Sequence, residues 1–264
     1  SQSAGHFQRD ESSADDLGSI DFLRRMIVRW GIHPIRAGRR RKTFKSCDLV
    51  VGLKPACLAL NGFRPLEAVD PGAVSGLRRM IKGTYGLPDA EAADDSHVRG
   101  GWEIEDESDD GVKLVCRDRP SSGSGVGVDD LVAVRTGQAG PWQVGTVHWA
   151  QTDESGSVSM GVRLIRQTMR PVLIDRLHAD RGRVRSEALL LVSKSGDNMT
   201  RSLICPATAY VPAATYVVRM ADGRGDFVVE ATNMRMASRS FAWFELAKPR
   251  PDTAQKVLDL INPD

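Results

Sequence analysis

Cysteine is scarce and scattered. The chain of 264 residues holds four (Cys47, Cys57, Cys116, Cys205), with no Cys-x-x-Cys pair and no histidine pair nearby. That spacing argues against a zinc site and a disulfide scaffold, and points to buried free thiols in a reducing cytoplasm. Net charge is small as well. Lys and Arg number 36 against 34 Asp and Glu, leaving +2, which argues against a surface that grips nucleic acid or anionic lipid throughout but leaves room for a local basic patch. No run of about 18 apolar residues occurs, which excludes a helical membrane span. Ser1–Asp16 is polar and lacks the basic-then-apolar profile of a signal peptide. The five histidines (His6, His33, His97, His148, His178) form no His-x-x-x-His pair and no carboxylate cluster at metal spacing, so no metal is expected. No Gly-x-Ser-x-Gly elbow surrounds a serine, and Gly123–Gly127 lacks the Gly-Lys-Ser/Thr ending of a phosphate loop. The chain reads as a non-enzyme.

What is present is enough apolar material, 41% of the chain, for one large core or two modest ones. Ser1–Asp16 is predicted to be a disordered arm. Leu23, Met26, Ile27 and Trp30 recur at helical spacing, predicting a helix over 17–30 that Gly31 and Pro34 stop. The densest basic run of the chain, Arg36–Lys45, then reads as an arm before a strand at Cys47–Gly52. A helical insertion is predicted over about 53–101. Pro55 opens a short helix ending near Gly62, and Asp70-Pro71 opens another with Val74, Leu77 and Ile81 on one face. Residues 87–101 form an acidic loop with Asp89, Glu91, Asp94 and Asp95.

From Trp102 the apolar period changes to two. Strands are predicted at Trp102–Asp106, Gly111–Cys116, Leu131–Arg135, Trp142–Trp149 and Ser157–Ile165, a spacing that favours a barrel or sandwich. Thr168–Pro171 marks a boundary. A second β series, over 169–248, runs through Pro171–Leu177, Ser186–Val192, Ser202–Cys205, Thr215–Met220, Phe227–Asn233 and Phe241–Ala247, with a loop or hairpin at Arg181–Arg185. Whether the two β units share a core is left open. The tail, 249–264, carries a short amphipathic helix (Val257, Leu258, Leu260, Ile261). Trp102, Trp142 and Trp149 fall in alternating strands, and packing rather than ligand stacking is their expected use. Phe241, Trp243 and Phe244 are expected in a core, with an apolar docking patch as the alternative.

One constellation carries chemistry. Arg36, Arg39 and Arg40 sit in the basic run, with Arg36 and Arg40 spaced as Arg-xxx-Arg. Downstream, Asp106-Glu-Ser108-Asp-Asp-Gly111 reads Asp-x-Ser-x-x-Gly between two strands, followed by Gly145-Thr-Val-His-Trp149 and Met160-Gly-Val-Arg-Leu164. In this order on a β-barrel, the set resembles the PilZ family of bacterial cyclic-di-GMP receptors, over roughly residues 30–166. The resemblance implies a six-stranded PilZ-like barrel with a helical N-terminus and a helical insertion, plus a second β unit. It implies arm arginines Arg36 and Arg40 and barrel-side residues Asp106, Ser108 and Gly111. Arg39, Arg41 or Lys45 could replace either nominal arginine. The planar fork of arginine suits phosphate and the guanine O6/N7 edge, aspartate and serine accept from guanine N–H groups, and glycine permits a sharp turn or positive φ beside the ligand. The function implied is cytoplasmic, cyclic-di-GMP-dependent signalling to a protein partner. The alternative is a ligand-free scaffold of the same fold in a motility, pilus or secretion assembly. A nucleic-acid-binding barrel would rest on Arg36–Lys45 alone.

Overall fold

A computed structural model describes residues 40–66, 98–117, 126–137, 139–178, 182–196, 198–220 and 225–254. Arg36, Arg39, the helices predicted over 17–30 and after Asp70, the acidic loop up to residue 97, and the apolar residues of the tail helix lie outside them.

The described chain is mainly β and forms two closed six-stranded barrels. The first is made by β1 (Arg41–Val51), β2 (Arg99–Glu107), β3 (Gly111–Cys116), β4 (Leu131–Thr136), β5 (Gln143–Thr152) and β6 (Val158–Leu164), ordered β1-β2-β3-β6-β5-β4. Every pairing between these strands is antiparallel, and β4 returns to β1 to close the ring. Closure removes exposed edges, which an alternating strand series would otherwise offer to other chains. Alternate residues fill its interior: Cys47 and Leu49, Trp102 and Ile104, Val112 and Leu114, Val132 and Val134, Val147, Met160 and Val162. The basic run departs from expectation here. From Arg41 onward it is strand rather than arm, because its backbone pairs with β2 from Arg41↔Glu107 to Leu49↔Arg99.

The second barrel comprises β7 (Thr168–His178), β8 (Gly182–Ser195), β9 (Asn198–Pro206), β10 (Thr215–Met220), β11 (Asp226–Ala237) and β12 (Phe241–Ala247), ordered β10-β11-β12-β9-β8-β7. Arg183 and Arg185, expected in a loop or hairpin, lie in β8 and pair with Leu177 and Asp175 of β7. Asp175 is fully buried and accepts from Arg183 Nη2 at 2.6 Å, Arg185 Nε at 2.9 Å and Arg219 Nε at 2.6 Å. Burial opposes its ionisation, but hydrogen bonds from these three guanidiniums win and hold its pKa down to about 2. Inside the barrel, the Tyr216 hydroxyl donates to the Ala209 carbonyl and accepts from the Val211 amide.

A third apolar cluster joins the barrels. The helix α1 (Leu53–Leu60) follows β1 directly, and its Leu53, Ala56, Cys57 and Ala59 are buried. They pack with Val50, Leu131, Ala133 and Val144 of the first barrel and with Leu173, Leu189, Leu191, Ile204 and Phe241 of the second. This short helix is therefore a wedge between the two barrels. Phe241 and Phe244 are fully buried core residues, and the partly buried Trp243 donates its indole N–H to buried Ser202 Oγ at 2.9 Å.

Candidate functional site

Arg40 stands just before β1 and Asp106 near the end of β2, 66 positions apart. The antiparallel register sets Lys42 opposite Asp106, which brings the start of the basic run to the acidic end of β2. Arg40 Nη1 donates to Oδ1 of Asp106 at 2.9 Å and to Oδ2 at 3.0 Å. Its Nε and Nη2 make no hydrogen bond among the described residues. Alongside, Arg41 pairs with Glu107, and Lys45 Nζ lies 3.8 Å from the same carboxylate. The Arg41 hydrogen bond holds Glu107 below the usual carboxylate range, as the Lys113 hydrogen bond does for Glu105. Glu105 and Glu107 thus stay ionised beside the four cationic residues of β1 and its approach, Arg40, Arg41, Lys42 and Lys45.

Ser108 and Gly111 close the β2–β3 turn. The Ser108 amide donates to the Gly111 carbonyl at 2.8 Å, and the Ser108 hydroxyl points to the same oxygen at 3.2 Å. The hydroxyl's lone pairs remain available to accept. Gly111 has a different reason than the one expected. It does not adopt positive φ but begins β3, and a Cβ there would lie 2.3 Å from the Val162 carbonyl oxygen. Close approach of β6 requires the glycine, not the turn. Arg166 braces the turn from outside, donating from Nε to the Asp109 carbonyl at 2.8 Å, while the Leu164 amide donates to the Asp110 carbonyl at 2.9 Å.

The structure thus brings Arg40, Asp106, Ser108 and Gly111 to one corner of the first barrel. Sequence reasoning missed Arg166 as the brace, since a lone arginine after a strand carries no motif. It also missed Arg163, exposed on β6 and in register with Gly111, although it falls within the quoted Met160–Leu164 segment.

A further irregularity lies in β1 itself. Register shifts between Lys42 and Lys45, where two residues of β1 oppose one of β2. Within this bulge Phe44 has φ 46° and is 55% exposed.

The described residues hold no cluster of three metal-ligating side chains, and the four cysteines are buried and form no disulfide. Burial pushes Cys47 and Cys205 up to about 12 and Cys57 higher still, which keeps them protonated and unreactive at neutral pH. No described helix is long and apolar enough to cross a membrane. Compared with family models, curated proteins and solved structures, the chain matches none.

Proposed function

We propose that this chain is a PilZ-type receptor for cyclic-di-GMP that relays occupancy to a protein partner. The observation that carries the reading is the Arg40–Asp106 pair beside the Ser108–Gly111 turn. Asp106 engages one guanidinium nitrogen and orients the group, so less side-chain entropy is lost when ligand arrives. The remaining Nε and Nη2 present the planar fork that binds phosphate or guanine O6/N7. Asp106 and Ser108 supply acceptors for the guanine N–H edge, and the two phosphates of the ligand offset the mutual repulsion of Arg40, Arg41, Lys42 and Lys45.

Relay follows the chain. β1 begins at this corner and ends at Val51, Gly52 caps α1, and α1 packs on both barrels. A ligand that fixes the start of β1 in one of two arrangements shifts the helix and the surface of the second barrel, where a protein of a motility, pilus or secretion assembly would dock. The receptor acts in the cytoplasm and catalyses nothing.

Isothermal titration of the full chain with cyclic-di-GMP tests the proposal. Saturable heat at micromolar ligand is expected, weakened roughly 5- to 150-fold by Arg40→Ala, in line with about 1–3 kcal/mol for one good guanidinium–base contact. No heat would overturn the receptor and leave the ligand-free scaffold. Unchanged affinity in Arg40→Ala would move the site away from this corner.

A further inference from the structure

A phenylalanine at φ 46° is uncommon, because its Cβ crowds the backbone in the left-handed region; bulky residues adopt it when something over-determines the position. A strained residue is usually justified by burial. Phe44 is not: it remains 55% exposed, at a point where an unstrained glycine or a polar side chain would serve the bulge equally well. The bulge turns the ring outward between two residues tied to the corner described above. Lys42 is in register with Asp106, and Lys45 lies 3.8 Å from a Glu107 oxygen. An exposed aromatic ring thus stands among Arg41, Lys42 and Lys45 of β1, four positions from Arg40.

We infer that Phe44 is a base-stacking platform, and that it takes one guanine face of the bound dinucleotide while Arg40 takes its edge or phosphate. The inference rests on the cyclic-di-GMP reading above. It goes further by assigning recognition to an apolar face that no ion pair supplies. Four residues of strand span about 13 Å, shortened here by the bulge, a distance that a two-base ligand and an extended arginine side chain bridge together. Stacking on an aromatic ring is indifferent to salt, whereas the arginine and lysine contacts weaken as salt rises.

Titration of the full-length chain and its Phe44→Ala, Phe44→Gly and Phe44→Trp variants with cyclic-di-GMP tests this. Phe44→Ala should lose roughly 5- to 150-fold in affinity, the range found when a stacking ring is truncated. Phe44→Gly, which suits the positive φ and so preserves the fold, should lose as much. Phe44→Trp should retain the affinity of the unaltered chain and show ligand-dependent quenching of the added indole. Equal affinity in all four proteins would overturn the stacking role while leaving the dinucleotide reading intact. Absence of binding by the unaltered chain would overturn both.

Discussion

Arg40 grips both carboxylate oxygens of Asp106 from a single guanidinium nitrogen, across 66 positions of sequence. The Arg40 side chain is 36% exposed and that of Asp106 is 17% exposed, so solvent screens much of their attraction. Such pairs contribute about 0–1 kcal/mol. Arg40→Ala should therefore leave the chemical-denaturation midpoint nearly unchanged while weakening dinucleotide binding. A large fall in stability would show the pair to be structural instead.

Gly111 makes a sharper stability prediction. A Cβ added there meets the Val162 carbonyl oxygen at 2.3 Å, and the next nearest atoms are β6 backbone too, which limits relief. Gly111→Ala should destabilise the first barrel by about 1–3 kcal/mol, as overpacking does, and loosen the β3–β6 ladder. Equilibrium unfolding in urea measures the loss. Amide exchange of β3 and β6 locates it.

Asp175 predicts a pH dependence. Its folded pKa of about 2 lies below the ordinary value of 3.8, so the stabilisation from its three arginines is complete above about pH 4 and is lost as pH falls towards 2. The loss is on the order of 2 kcal/mol. Urea unfolding of the unaltered chain and of Asp175→Asn from pH 5 to pH 2 should show a steeper decline in the former. Parallel declines would mean that other carboxylates govern acid unfolding.

Much of the barrel architecture was legible because period-two alternation is a local property. Gly111–Cys116, Thr215–Met220 and Phe241–Ala247 are strands with the expected bounds, since each is a short apolar-rich run between turn signals. The basic run was not legible as strand. Arg41–Ser46 has no apolar alternation, and it becomes extended only because β2 offers it a ladder and carboxylates to pair with. Arg183 and Arg185 were obscured for the same reason: their partner, Asp175, becomes a partner only once β7 and β8 are paired.

Local chemistry determined that this chain is mainly β, that its second half repeats the strand series of its first, and that Asp106, Ser108 and Gly111 lie at a strand-to-strand turn. Tertiary structure decided what those residues meet. Register placed Arg40 on Asp106, the approach of β6 explained Gly111, and burial from both sides made α1 a wedge shared by two barrels. Periodicity reports which face of a strand is apolar. Which strand lies next to it is fixed by ring closure and by contacts between residues distant in sequence, and a local pattern carries no record of either.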